Sequence, residues 1–226
     1  MQEENPYGIK SYVRRSGRMS QAQRRAYETL LPRYGIPLVA ETLDYQQVFG
    51  NEQPLIIEIG FGMGIATAQI AQDNPRTNYL GIEVHRPGIG RLLGEIERRQ
   101  LLNIRIIEAD AVEVLKQRIP DRSVQGFHVF FPDPWPKKRH HKRRLMTRPV
   151  TDLLARKLGP CGFVYMVTDW ADYGDWALRE LSATPGLANP YEGFAPPQHW
   201  RPQTAFERKG LAKNHGVYEI FFKTQL

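Results

Sequence analysis

Short apolar runs separated by helical patterns constrain this chain more than any other feature. LIIEIG (55–60), NYLGIEV (78–84), IRIIEAD (104–110), VQGFHVFFPDPW (124–135) and GFVYMVTDW (162–170) each read as a strand, and VYEIFFKT near the C-terminus alternates and reads as a last one. Helical spacing fills the gaps in GIATAQIAQDN (64–74), GIGRLLGEIERRQL, TRPVTDLLARKL (147–158) and WALRELSAT. A further helix, SQAQRRAYETLL, precedes the first strand; Ser20 is a good cap for it, and Pro32 with the 35–37 stretch is expected to break it. Strands alternating with helices predict an α/β fold, a parallel sheet with helices on both faces. The last strand, reached through a turn-rich stretch (183–216), is expected to pair antiparallel at the edge. On such sheets ligands bind beyond the carboxyl ends of the strands, so the residues that follow each strand matter most.

Composition narrows the setting. The chain has 226 residues, 41% hydrophobic and 24% charged, which is ordinary globular usage and unlike a disordered chain. No run approaches the roughly 20 apolar residues of a membrane-spanning helix, and MQEENPYGIK lacks the apolar core of a secretory signal. One cysteine, Cys161, makes neither an internal disulfide nor a cysteine-based metal site, and a reducing, cytoplasmic setting is expected. The formal net charge is +7. Much of it sits in residues 10–25 (Lys10, Arg14, Arg15, Arg18, Arg24, Arg25) and 137–144 (Lys137, Lys138, Arg139, Lys142, Arg143, Arg144), neither of which holds an acid. The rest of the chain has 19 basic and 24 acidic residues. A mildly acidic body with two basic segments suits a polyanion, of which nucleic acid is the commonest. His140 and His141 read as part of the basic stripe, since no further ligands stand at metal-site spacing.

The strand ends carry the chemistry. The first runs Glu58-Ile59-Gly60-Phe61-Gly62-Met63-Gly64 into a helix. Glycines there let the backbone turn tightly and approach a ligand closely. A dinucleotide loop wants G-x-G-x-x-G, but here the spacing is G-x-G-x-G and Ile65 takes the third glycine's place. Glu58 would repel a pyrophosphate yet pair with an ammonium group, so S-adenosylmethionine, which has no phosphate, suits the loop better. Glu83 ends the second strand, where a carboxylate can accept from ribose hydroxyls. The third ends in Glu108-Ala109-Asp110-Ala111, in which Asp110 either holds an adenine amino group or caps the next helix. The fourth ends in Phe130-Phe131-Pro132-Asp133-Pro134-Trp135-Pro136, a proline-stiffened turn with one carboxylate and a ring on which a base could stack, followed at once by the basic run. The fifth ends in Thr168-Asp169-Trp170.

At these residues the chain resembles the bacterial tRNA (guanine-N7)-methyltransferases. The matching stretches are SYVRRSGRMSQAQ, IEIGFGMG, GIEVH, EADA, FFPDPWPKKRHHKRRL, VTDW and RPQTAFERKG, spread from residue 11 to about 210; FPDPWPKKRHHKRR is the most specific. The resemblance implies a Rossmann-like class I methyltransferase fold, a mostly parallel seven-stranded sheet with helices on both faces and an antiparallel edge strand. It divides the chain into a basic N-terminal arm and helix (1–50) and one methyltransferase domain (51–226). It implies transfer of a methyl group from S-adenosyl-L-methionine to N7 of the variable-loop guanosine 46 of tRNA, with no metal, no membrane and no obligate protein partner. By the same resemblance Glu58, Gly60, Gly62, Gly64, Glu83, Asp110 and Asp133 hold the cofactor and Asp133 is also catalytic. Lys137, Asp169, Thr204, Ala205, Phe206 and Glu207 contact the guanosine, and Arg139, His140, His141, Lys142, Arg143 and Arg144 contact RNA. The chain departs from the family pattern at Asn214, where a glycine is expected before His215.

Guanine N7 carries an in-plane lone pair and no proton, so its methylation requires no general base. Asp133 is expected to stabilise the cationic base that forms, and Asp169 and Glu207 to accept from the guanine N1–H and amino group. Two other readings remain: methylation of an exocyclic amine of adenine or cytosine, which Asp133-Pro134-Trp135 partly fits, and a non-catalytic RNA-binding module on a Rossmann-like fold.

Overall fold

The computed structural model describes residues 10–12, 17–204, 207 and 216–225. The elements run in chain order α1 (Gln21–Tyr34), α2 (Tyr45–Phe49), β1 (Leu55–Ile59), α3 (Ile65–Asp73), β2 (Asn78–Glu83), α4 (Arg86–Arg99), β3 (Ile104–Glu108), α5 (Ala111–Gln117), β4 (Val124–Phe130), a 3₁₀ segment (Lys138–Arg143), α6 (Arg148–Lys157), β5 (Leu158–Thr168), α7 (Ala171–Ser182), β6 (Leu187–Ala188) and β7 (Tyr218–Thr224). The strands form one sheet in the order β3-β2-β1-β4-β5-β7-β6. β1 to β5 are parallel, and β7 runs antiparallel to β5. The strand order turns back between β1 and β4, the neighbours at the centre. Loops leaving those two strands diverge there and open a crevice.

The central strands β1 and β2 are buried on both faces, as a parallel sheet sandwiched by helices requires. Leu55, Ile57 and Ile59 of β1 join a core with Leu115 of α5, Leu154 of α6 and Leu181 of α7. Ile56 points the other way, into a core with Ala26 of α1, Ile70 of α3 and Leu92 of α4. The period-2 side-chain alternation of a strand thus divides the helices between the two faces.

Three sequence expectations change. The fourth strand stops at Phe130, short of residue 135, because Phe131 turns into the left-handed region (φ 52°) and two prolines follow. α1 is not broken at Pro32; it ends at Gly35, with Pro32 inside its last turn. The C-terminal strand is not outermost, since the two-residue β6 pairs along its far side. The described part of residues 17–50 belongs to the packed body. Ser20 and Gln23 form a capping box at the start of α1, the Gln23 amide donates to the Pro87 carbonyl at 3.1 Å, and the Tyr27 hydroxyl donates to Glu108. Arg14, Arg15 and Asn214 lie outside the described residues.

Candidate active site

The loop after β1 and the turn after β4 face a cleft of about 330 Å³ at the switch point. Its walls include Gly60, Gly62, Glu83, Ala109, Ala111, Phe131, Pro132 and Asp133, with Ser11 and Tyr12 of the N-terminal arm across it. Gly60, Gly62 and Gly64 all hold positive φ (73°, 58° and 68°), which L side chains rarely adopt. A Cβ on Gly60 or Gly62 would meet no protein atom within 4 Å, whereas one on Gly64 would strike Leu92 Cβ at 2.6 Å. The first two glycines leave backbone bare toward the cleft, and the third lets α3 lie against α4.

Glu83 locks this loop. Its Oε2 accepts from the Gly62 N–H at 2.9 Å, and its Oε1 accepts from Val84 N–H at 2.6 Å and His85 N–H at 3.0 Å. A carboxylate fed by three backbone donors is a fixed wall of the cleft. Asp110 caps α5 by accepting from the Val112 N–H at 2.9 Å, one of the two roles its sequence position allowed. It lines the neighbouring cavity of about 690 Å³ rather than the cleft, although Ala109 and Ala111 on either side of it line the cleft. Glu58 is buried beneath the loop and is not among the lining residues. Burial pushes its carboxyl up to about 7; the nearby Thr67 hydroxyl opposes the shift and Glu83 adds to it. Neither Glu58 Oε2 nor Thr67 Oγ1 completes a hydrogen bond.

Asp133 is exposed at the mouth of the cleft, on a turn flanked by two left-handed non-glycine residues, Phe131 (φ 52°) and Trp135 (φ 47°). Each such residue costs about 1–3 kcal/mol and persists only where its surroundings hold it. Here the Phe131 N–H donates to the Val167 carbonyl at 2.8 Å. The Trp135 Nε1–H donates to the Ser11 carbonyl at 3.0 Å, tying the turn to the N-terminal arm. The Arg144 Nε–H donates to the Pro134 carbonyl at 3.0 Å, and its Nη2 pairs with Asp172 at the start of α7.

That last contact corrects the sequence reading of Arg144 as an RNA contact. Its side chain is 0% exposed and lies over the rings of Tyr173 and Trp176 at 5.1 Å each. It fastens the turn and presents no charge to solvent. Lys137, Lys138, Arg139 and Lys142 are exposed, and Arg143 lies over Trp135 at 5.0 Å. His140 is held below its usual pKa, first by partial desolvation and then by Arg139, Arg143, Lys137 and Lys142. His141 packs edge-on against Trp176 at 5.7 Å.

Asp169 follows β5 at the same end of the sheet and is half-buried. Thr204 and Glu207 cap one another: the Glu207 N–H donates to Thr204 Oγ1 at 3.0 Å and the Thr204 N–H to Glu207 Oε2 at 3.3 Å. Glu207 is buried and takes both Nη groups of Arg201, at 2.6 and 2.9 Å, a pairing the sequence reading missed. Ala205 and Phe206 lie outside the described residues. A larger cavity of about 690 Å³ between α5, α6 and the 3₁₀ segment meets the cleft at Ser11 and Leu145. Neither the loop glycines nor Asp133 line it, so the chemistry belongs to the smaller space. Among the described residues there is no group of three His, Cys, Asp or Glu side chains placed to hold a metal ion, and no helix long and apolar enough to cross a membrane.

A family model described as a putative methyltransferase matches residues 52–220. The chain is 49% identical to a tRNA (guanine-N(7)-)-methyltransferase of Nitrosospira multiformis, over 99% of this chain and 98% of the relative. It is 48% identical to one of Chromobacterium violaceum, over 97% and 99%. Among solved structures it is similar to the 16S rRNA methyltransferase KamB, with a TM-score of 0.60 at 13% identity over 84% of this chain and 97% of that one. It is also similar to a Streptomyces coelicolor geranyl diphosphate C-methyltransferase in complex with S-adenosyl-L-homocysteine, with a TM-score of 0.53 at 9% identity over 89% and 76%. At these identities the two structures speak for the fold.

Proposed function

The chain belongs to the tRNA (guanine-N(7)-)-methyltransferase family, and on that premise we propose that it moves a methyl group from S-adenosylmethionine to N7 of guanosine 46 in the variable loop of tRNA. The observation that carries this reading is the shared cleft. A glycine loop with bare backbone and a fixed carboxylate faces the rigid turn that presents Asp133, and that turn runs straight into exposed cations.

The residues present fit S-adenosylmethionine. Gly60 and Gly62 let a ligand lie against the backbone, and Glu83 has acceptor capacity for ribose hydroxyls beyond its three backbone donors. Asp110, capping through one oxygen, keeps the other for the adenine amino group. Glu58, buried beneath the loop, has an unpartnered oxygen that would accept a hydrogen bond from the ammonium. When bound, S-adenosylmethionine supplies a methyl carbon made electrophilic by a cationic sulfur.

The protein's part is positioning and charge. N7 already holds its lone pair, so no side chain removes a proton. Accepting a methyl group at N7 would leave the base cationic, with no proton for the protein to remove. Asp133, fixed by the strained turn, places a negative charge at the mouth of the cleft where that cation forms, and such preorganised charge is worth about 3–4 kcal/mol. Asp169 accepts from one guanine N–H, Lys137 and Thr204 stand by as further substrate contacts, and Arg139, Lys142 and Arg143 bind flanking phosphates.

The test is methylation of unmodified tRNA with labelled cofactor, followed by digestion. Release of 7-methylguanosine supports the reading, and an N-methylated amine refutes it in favour of an exocyclic-amine enzyme. Asp133→Ala is expected to lower turnover 10²–10³-fold and, since Asp133 also lines the cleft, to weaken S-adenosylmethionine binding; near-normal turnover removes Asp133 from the mechanism.

A further inference from the structure

We propose that Arg201 is a positioning residue for base recognition: it fixes the Glu207 carboxylate so that one remaining lone pair accepts a guanine N–H, and its guanidinium reaches Phe131 at the start of the Asp133 turn. This rests on the reading above and names a residue that reading does not use.

Arg201 joins four parts of the fold. Its Nη1 and Nη2 donate to both oxygens of Glu207, and Nη2 also donates to Glu219 Oε1 on β7 at 3.0 Å. Its Nε donates to the Tyr165 hydroxyl on β5 at 3.2 Å. The guanidinium also lies 6.0 Å from the ring of Phe131, the first strained residue of the catalytic turn. The side chains of Arg201, Glu207 and Glu219 are each at most 5% exposed. The planar fork satisfies two carboxylates at once, which the point charge of a lysine does not reproduce.

Counting acceptors gives the role. An ionised carboxylate has about four lone-pair positions. Among the described residues Glu219 receives three donors, from Arg201, the Tyr165 hydroxyl and the Gln198 N–H. Glu207 also receives three, two from Arg201 and one from the Thr204 N–H. Among the described residues each keeps about one position, but Glu219 sits within the sheet, on β7 opposite Val167. Glu207 lies on the connecting segment beside Thr204. One guanidinium between two buried carboxylates also leaves a net negative charge near the turn, which favours a base that becomes cationic and an N–H donor over an acceptor. Adenine offers an acceptor at N1 where guanine offers N1–H, so a Glu207 held in this state discriminates between them.

The experiment compares wild type, Arg201→Lys and Arg201→Met in single-turnover methylation at saturating tRNA, alongside tRNA affinity, S-adenosylmethionine affinity by calorimetry, and Tm. Phosphate contacts dominate tRNA affinity, so both variants should bind tRNA and cofactor within about threefold of wild type. The single-turnover rate should fall on the order of 100-fold, the scale of a misplaced contact, with Arg201→Lys above Arg201→Met. An unchanged rate in a folded variant overturns the proposal. So does a loss of cofactor affinity in step with the rate, or the failure of both variants to fold, either of which assigns Arg201 to the fold alone. If wild type itself forms no 7-methylguanosine, it is the proposed activity that fails.

Discussion

Gly88→Ala separates two principles that point in opposite directions. Gly88 lies in the first turn of α4, where Ala is favoured over Gly by up to about 1 kcal/mol. Helix propensity alone therefore expects stabilisation. The structure expects the reverse, because a Cβ on Gly88 would lie 1.8 Å from the Gly62 carbonyl oxygen, and real Cβ contacts essentially never fall under 3.0 Å. Helix and loop must part by more than 1 Å, and the Gly62 N–H sits only 2.9 Å from Glu83 Oε2, so that bond breaks. Losing a hydrogen bond to a charged group costs about 1.5–3 kcal/mol, and overpacking about 1–3 kcal/mol. Set against the propensity gain, the net destabilisation is about 1.5–5 kcal/mol, or a fall in Tm of about 3–20 °C for a domain of this size. Cofactor affinity should fall about 10–100-fold, because the displaced backbone is the wall of the cleft. Two substitutions on the same helix serve as controls. A Cβ on Gly94 meets nothing within 4 Å, so Gly94→Ala should raise Tm by a few degrees. A Cβ on Gly90 would strike the Gln23 carbonyl oxygen at 2.4 Å, so Gly90→Ala should loosen α1 from α4 while leaving cofactor affinity nearly intact. Thermal denaturation and calorimetry read all three. A Gly88→Ala protein as stable as wild type, with unchanged cofactor affinity, refutes the packing argument.

Two buried groups on adjacent strands give opposed pH dependences. Burial pushes Glu58 up to about 7 from 4.5 and His128, its partner in the β1–β4 register, down to about 3 from 6.5. Between pH 4.5 and 7 the folded state holds a proton on Glu58 that the unfolded chain has lost, so this group lowers stability as pH rises; between 3 and 6.5 the unfolded chain holds a proton that buried His128 refuses, so that group raises it, each by about 1.4 kcal/mol per pH unit. Glu58→Gln should therefore gain Tm over wild type progressively from pH 5 to pH 7, and His128→Phe should gain as pH falls below 6.5; parallel Tm–pH curves for variant and wild type would refute either shift. Arg143→Ala should weaken tRNA binding and flatten its log–log salt slope by about one, with little change in Tm. Its neighbour Arg144→Ala should lower stability by about 2–4 kcal/mol, through a cavity and lost hydrogen bonds, with the salt slope unchanged; equal effects on the slope would return Arg144 to the RNA surface.

What was legible in the sequence followed from patterns that one element decides by itself. Parallel strands buried on both faces are apolar runs, so LIIEI and NYLGIE announce themselves; the glycine loop follows β1 and the Asp133 turn follows β4, on either side of the switch point. What was not legible depends on a partner distant in the chain. Six cations within residues 137–144 do not say which faces inward. Arg144 does so because Asp172, 28 residues on, and the rings of α7 lie beneath it. In the same way Glu207 is claimed by an arginine whose own orientation is set by β5 and β7. The turn shows why these hidden contacts matter to function. Phe131 and Trp135 hold left-handed φ values that nothing in their side chains favours, so the conformation of Pro132-Asp133-Pro134 is not self-supporting. Arg144 at the Pro134 carbonyl, Ser11 at the Trp135 indole and Val167 at the Phe131 amide offset the strain from three sides. A carboxylate carried on so over-determined a turn backbone is kept at the mouth of the cleft, beside a charge forming there, as the three backbone donors keep Glu83 in its wall.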